Sequence, residues 1–339
     1  MTFPVTEHTV KTPRHTTGYL ACGRPDAPLL IFCHGWPELS LSWRHQLPVF
    51  AALGFRSVAP DMRGYGRSST YTRHEDFAQE RIVEDMLELL ASLGRERAVW
   101  IGHDWGSPVV WNIAAHHPEK TAGVASLCVP YLSQGFTLDN IVALVDRTVY
   151  PEPEFPFGQW DYMVYYRENF DKARQGFEVD VRNVVKTLFR KGDPRSVGRP
   201  SRTASVRRNG WFGSGAFPDI PRDPDVITEQ DLEAYTAALT RNGFFGPDSW
   251  YMNHAANGAY AKRAVNDGRL AMPALFLHGA YDVTCETVHS RLAEPMREDC
   301  SNLTEVVIRS GHWMAQEKPA EVNAALTKWL AAKLPDYWA

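Results

Sequence analysis

Val99-Trp-Ile-Gly-His-Asp-Trp-Gly-Ser-Pro-Val-Val-Trp111 is the stretch on which the reading of this chain turns. Ala98–Ile101 is a short apolar run of the kind that forms a buried parallel strand. Pro108 begins a segment with Val109, Val110, Ile113 and Ala114 at the spacing of a helix face, and proline suits a helix's first turn. Between the two stands Gly102-His103-Asp104-Trp105-Gly106. Two glycines around one reactive residue at a strand-to-helix turn have the form of a nucleophile elbow, most familiar with serine at its tip. Glycine serves there because the turn is sharp and neighbouring backbone passes close. Here the tip is Asp104. A carboxylate is already an anion at neutral pH and can displace a leaving group from saturated carbon, whereas serine must first lose a proton. The ester so formed then needs a water that some base activates. The glycine spacing by itself proves little, since two glycines four apart arise by chance on the order of once in a chain this long. Its partners must decide.

Working outward, 339 residues are enough for one large α/β domain carrying an insertion, or for two domains. The hydrophobic fraction of 44% and charged fraction of 22% are those of a soluble globular protein, and a net charge of −4 gives no reason to expect nucleic acid. Met1-Thr-Phe-Pro-Val-Thr-Glu-His lacks the basic and apolar regions of a signal peptide, and no apolar run approaches a membrane span. Cys22, Cys33, Cys128, Cys285 and Cys300 are scattered and odd in number, which points to reduced thiols in a cytoplasmic protein. His and Cys show no recognised metal-ligand spacing, so no metal is expected.

Upstream of the elbow, Thr16–Cys22 reads as an edge strand of a meander, and Leu29–Cys33 as a buried strand running into His34-Gly35-Trp36-Pro37. A turn at that end of a strand can aim an N–H at a developing oxyanion. Phe55–Ala59 is a further strand. The loop after it, Asp61-Met-Arg-Gly-Tyr-Gly-Arg-Ser, lacks the spacing and lysine of a phosphate-binding loop and reads as structural. Ile82, Val83, Met86, Leu87, Leu90 and Leu93 mark an amphipathic helix ending at Gly94. Downstream, Val124–Val129 is a strand, and then the pattern changes. From Tyr131 to Asn253 helical stretches and aromatics replace strand signals, with a Gly/Pro/Arg-rich segment at Gly192–Arg222 that reads as a solvated loop. Strand patterns resume at Met272 and at Leu303–Ile308, and Pro319 opens a final helix. The expectation is a mostly parallel sheet interrupted between its sixth and seventh strands by a helical lid: core over 1–130, cap over 131–254 and core again over 255–339.

Asp282 follows one strand directly and His312, in Ser310-Gly311-His312-Trp313, follows the last, so both are expected at the same sheet edge as Asp104. The order nucleophile, acid, histidine is that of the triad known on such sheets. Asp282 would orient His312, and His312 would take the proton of the hydrolytic water. Asp139 and Asp146 are weaker candidates for the acid. His34, His103 and His278 read as shaping loops and oxyanion geometry, and Ser107 stands too far from the elbow tip to attack.

Taken together, His34-Gly35-Trp36-Pro37-Glu38, the Asp104 elbow, Asp282 and Gly311-His312-Trp313 give a chain that resembles the epoxide hydrolases of the α/β-hydrolase fold over nearly its whole length. The core motifs are shared with haloalkane dehalogenases, the alternative reading; the cap discriminates. Trp160-Asp161-Tyr162-Met-Val-Tyr165-Tyr166 resembles the family's first cap-tyrosine segment, and Gly243-Phe-Phe-Gly246-Pro247-Asp-Ser-Trp250-Tyr251 its second. The resemblance implies an eight-stranded core, with Tyr162 and Tyr251 as the pair that hydrogen-bonds the epoxide oxygen. Spacing alone leaves Tyr165 and Tyr166 open beside Tyr162. Backbone N–H groups of Trp36 and Trp105, with His34 beside them, would form the oxyanion and substrate-binding part. The implied partners are an epoxide and water, without cofactor, nucleic acid or membrane; the oligomeric state is open, a homodimer included. A protein that keeps the fold but has lost catalysis is the remaining rival.

Overall fold

In the computed structural model, which describes residues 3–211 and 217–338, the apolar runs and one polar N-terminal stretch become strands. They are β1 (Thr6–Lys11), β2 (Thr16–Cys22), β3 (Leu29–Cys33), β4 (Arg56–Pro60), β5 (Ala98–His103), β6 (Thr121–Leu127), β7 (Ala274–Gly279) and β8 (Leu303–Ile308). All eight join one sheet in the order β1-β2-β4-β3-β5-β6-β7-β8. Only the β1–β2 and β2–β4 pairings are antiparallel. Every residue of β3, β5, β6 and β7 is buried, because helices cover both faces of the parallel part.

Two differences from the sequence reading have plain causes. The residues of β1 are mostly polar and alternate between exposed and half-buried, so they carry no apolar signal; backbone pairing to β2 makes the strand. The sixth strand stops at Leu127 rather than Val129, because Cys128 turns into the left-handed region at φ 70°.

The amphipathic helix forms over Gln79–Ser92, burying Ile82, Val83, Met86, Leu89 and Leu90. Each such side chain contributes about 1.5–3 kcal/mol relative to exposure. Gly94 ends it with φ 68°, a left-handed position where a side chain would be strained.

Chain order reverses between β3 and β5, which makes the crevice at their carboxyl ends a topological switch point where ligands bind in such sheets. The register pairs Cys33 with Gly102, so the turn after β3 lies beside the elbow after β5. Among the described residues, no strand lies between β6 and β7; that stretch holds the helices Asp161–Glu178, Val181–Leu188 and Glu229–Asn242, among others. These helices are pinned to the loops at the carboxyl edge. Tyr235 hydroxyl meets Ser42 Oγ at 2.7 Å, Arg44 pairs with Asp231 at 2.9 Å, and the Trp250 indole donates to the Arg63 carbonyl at 3.1 Å. Part of the Gly192–Arg222 segment lies outside the described residues. In the part described, Arg195 is exposed and pairs with Asp193 at 2.9 Å, and Arg207 pairs with Glu168 at 3.3 Å. All five cysteines are buried and unpaired, and among the described residues no helix is long and apolar enough to cross a membrane.

Candidate active site

The turn Gly102–Gly106 is as tight as its sequence implies. Asp104 has φ 49°, a left-handed conformation that costs a non-glycine residue about 1–3 kcal/mol. A Cβ on Gly102 would lie 2.5 Å from the Gly106 carbonyl oxygen, and one on Gly106 would run into the Cys33 carbonyl and lie 2.7 Å from that of His34. These obstacles are backbone and cannot rotate away. Gly106→Ala is therefore expected to destabilise the fold by about 2 kcal/mol or more. Melting curves check this; a variant that melts with the wild type would mean the turn is looser than described.

Three side chains from separate strand ends converge here. His312 Nδ1 and Asp282 Oδ2 are 2.7 Å apart, and His312 Nε2 faces Asp104 Oδ2 at 3.5 Å. The other Asp282 oxygen accepts from the backbone N–H groups of Thr284 and Cys285 at 3.0 and 2.9 Å. Burial opposes charge on both partners of the Asp282–His312 pair, but their mutual attraction prevails. The Asp282 carboxyl is held below its ordinary pKa and the His312 imidazole well above its own, the latter helped by hydrogen bonds to Asp104 and Asp282. Asp146, by contrast, accepts from Thr148 at 2.9 Å in an exposed turn, and Ser107 donates to the Leu127 carbonyl at 3.2 Å inside the core.

The turn after β3 supplies the other wall. The Trp36 backbone N–H donates to Asp104 Oδ1 at 2.6 Å. Trp105 caps the helix Gly106–His116, at the end where backbone N–H groups lack helical partners. His34 is fully buried, with Nδ1 on the Gly35 carbonyl at 2.9 Å and Nε2 accepting from the Met62 N–H at 2.9 Å. Both ring nitrogens are engaged by backbone groups, Gly35 in the same turn and Met62 in the next loop.

Above Asp104 lie the cap tyrosines. Tyr162 and Tyr251 are buried with ring centroids 5.6 Å apart, and Tyr251 meets the Trp105 ring edge-on at 5.1 Å. Burial first, and the Asp104 carboxylate among nearby groups, hold both phenols well above their ordinary pKa, so they stand as neutral donors. Tyr162 lines a small cavity with Asp104, Trp105 and Cys285. Tyr166, one helical turn on, stacks on Tyr251 at 4.6 Å, and its leading charged neighbour is Asp248 rather than Asp104. Tyr165 is also buried, but its phenol is shifted by burial alone, with no charged group of the site among its perturbers.

Other members of the site take their roles from distant partners, among them His103, expected to shape loops. Glu38 and His103 form a fully buried pair at 2.7 Å, and the far nitrogen of His103 lies 2.7 Å from the His312 carbonyl oxygen, bracing the loop that carries that imidazole. Asp248 accepts from the Trp36 indole at 2.9 Å. Asp248 lies within the second cap-tyrosine segment, but no periodicity marks it for a role of its own. His278, also expected to shape loops, bonds Thr287 at 2.8 Å and Glu305 at 3.0 Å behind the sheet edge. The sets His103–Cys128–His312 and Asp282–Cys285–His312 gather ligand-type atoms within 4.8 Å, but the imidazole nitrogens in both already face partners of their own.

Comparison with known proteins gives the family. The family described as alpha/beta hydrolase fold matches residues 28–319. The chain is 35% identical over 345 residues to Epoxide hydrolase A of Mycobacterium tuberculosis (strain ATCC 25618 / H37Rv), covering 96% of this chain and 97% of that protein. It is 32% identical over 307 residues to Bifunctional epoxide hydrolase 2 of Sus scrofa, covering 89% of this chain but 51% of the relative, so it spans about half that protein's length. The crystal structure of Epoxide Hydrolase A from Mycobacterium thermoresistibile matches with a TM-score of 0.80 at 32% identity, covering 97% of this chain and 98% of that one. The chain belongs to the epoxide hydrolases of the α/β-hydrolase fold.

Proposed function

We propose that this enzyme opens epoxides to vicinal diols in two steps, with Asp104 as the nucleophile. One observation carries the reading: an aspartate at the elbow tip, fixed by the Trp36 N–H, faces His312 on one side and two neutral phenols on the other. In the first step a carboxylate oxygen of Asp104 bonds to one epoxide carbon as that carbon's bond to the ring oxygen breaks. Tyr162 and Tyr251 donate to the oxygen as it becomes an alkoxide, and one phenol gives it a proton. The product is a hydroxyalkyl ester.

In the second step water adds to the ester carbonyl and His312 takes its proton, with Asp282 stabilising the imidazolium. The tetrahedral oxyanion accepts from the backbone N–H groups of Trp36 and Trp105 before collapsing to diol and free carboxylate. The electrostatics support this order. At rest His312 lies between two carboxylates, and both favour its protonated form. Ester formation removes the Asp104 charge, so the imidazole surrenders its proton more readily when a base is needed. The proton given up balances the one taken by the alkoxide. No cofactor enters, and the buried unpaired thiols suit a reducing, cytoplasmic setting.

A haloalkane dehalogenase would use the same triad but would point the indole N–H groups of Trp105 and Trp36 at a halide. The Trp36 N–H, one of the two, is engaged by Asp248 at 2.9 Å, which weighs against the alternative. The proposed route is tested by a single turnover in heavy-oxygen water with enzyme in excess. The oxygen added to the diol should come from the Asp104 carboxylate, so the first diol should be mostly unlabelled, with the label found in the Asp104 peptide. Fully labelled first diol and an unlabelled peptide would make Asp104 a water-activating base instead.

A further inference from the structure

Asp248 sits three residues before Tyr251, in the short helix Phe245–Ser249, and is 0% exposed. Its Oδ1 accepts from the Trp36 indole at 2.9 Å, while its Oδ2 is buried without a hydrogen-bond partner. The Tyr166 hydroxyl is likewise buried and unpartnered, and Asp248 is its leading charged neighbour. The cation facing Asp248 is Arg174, which is ion-paired with Glu178 at 2.8 Å. An ionised carboxylate here would have only neutral donors, the Trp36 indole and at most the Tyr166 hydroxyl, with its charge uncompensated in a fully buried position. A neutral carboxyl meets both needs: it accepts from the indole at Oδ1 and offers its O–H at Oδ2 toward Tyr166.

Trp36 and Tyr166 are the two residues that matter on either side. Trp36 carries the backbone N–H on Asp104, and Tyr166 is the ring on which Tyr251 stacks at 4.6 Å with planes 17° apart. We propose that Asp248 is a positioning residue: as a neutral acid it clamps Trp36 of the oxyanion turn to Tyr166, and so sets the Asp104 side of the site against its phenol side. This rests on the reaction proposed above, but the clamp itself can be tested without it.

The groups facing Asp248 are Tyr166, Arg174 and Glu178 from the helix Asp161–Glu178, Trp36 from the turn after β3 and Tyr65 from the loop after β4. Burial drives the carboxyl well above its ordinary pKa and Glu178 adds to this, while Trp36, Arg174 and Tyr166 oppose it. A carboxyl neutral in the folded protein but ionised in the unfolded chain above about pH 4 costs stability as the pH rises. Asp248→Asn, which keeps an acceptor and a donor but cannot ionise, is therefore expected to melt above the wild type at pH 8, with the gain shrinking toward pH 4. In single-turnover ester formation it should stay within about threefold of wild type, whereas Asp248→Leu should be slower by about tenfold or more, since the indole N–H loses its buried acceptor. In a Trp36→Phe background the same Leu substitution should add little. The clamp is overturned if Asp248→Asn melts lower than wild type at pH 8, if it is as slow as Asp248→Leu, or if Asp248→Leu matches wild type. Should the Leu variant fail to fold, the Asn melting curves and rate still decide. The expected melting shift in a protein inert to all epoxides would count against the reaction and not the clamp.

Discussion

Asp104→Ala protein is expected to turn over no epoxide, while His312→Gln protein should consume one equivalent and stop. The two variants separate the half-reactions. Without Asp104 no carboxylate faces the epoxide carbon, and loss of a nucleophile of this kind lowers turnover by about 10⁴-fold or more. Without the imidazole, attack can still occur, because Asp104 is already an anion, but water is no longer activated and the ester persists. Mass spectrometry of His312→Gln after epoxide treatment should show a stoichiometric adduct on the peptide containing Asp104. The free thiols make this a demanding check, because Cys285 lines the same small cavity as Asp104 and a thiol can also open an epoxide. Burial drives the Cys285 thiol pKa upward, which disfavours the reactive thiolate and leaves Asp104 the better nucleophile. An adduct on Cys285 or Ser107, or steady turnover by Asp104→Ala, would sink the assignment.

Much of the fold was legible because of where the apolar residues lie. Strands β3, β5, β6 and β7 are buried on both faces, so each reads as a mostly apolar run, and topology alone places the residues just after such a run at the carboxyl edge. Asp104, Asp282 and His312 all stand at strand ends, and their convergence could be anticipated without knowing any distance. The polar β1 had no such signature, because its cause is a neighbour's backbone rather than its own side chains.

The cap behaves differently. Tyr162, Tyr165 and Tyr166 all lie on one helix, Asp161–Glu178, and nothing in their spacing says which side meets Tyr251. That is settled by packing: Tyr162 and Tyr166, one turn apart, both touch the Tyr251 ring. Asp248 and Glu38 were illegible for the same reason, and His103, read as shaping loops, gave no hint of its partner. Each has its meaning in a partner 65 or more positions away, Glu38 in His103 and Asp248 in Trp36. Sequence patterning reports a residue's own burial and periodicity, whereas these residues are defined by what they touch.

The phenol pair allows a prediction whose size depends on cooperation between the two donors. Tyr162→Phe and Tyr251→Phe should each slow ester formation while leaving measurable activity, because the remaining hydroxyl still meets the developing alkoxide. Loss of one oxyanion donor typically costs about 10²–10³ in rate, which sets the scale for the pair. The double variant should fall far below either single one, since a nascent alkoxide would then form in a buried chamber with neither phenol donor nor phenol proton source. Removing a hydroxyl from a ring leaves its packing in place, so the stacking of Tyr166 on Tyr251 and the edge contact with Trp105 should survive and melting should change little. Ester hydrolysis in the same variants should be nearly normal, because that step relies on His312, Asp282 and backbone N–H groups instead of phenols. Presteady-state kinetics resolve the two steps. Tyr166→Phe serves as the internal comparison, since its hydroxyl faces Asp248. It should reduce ester formation less than Tyr162→Phe does, and the reverse ranking would move the first donor one helical turn along, to Tyr166.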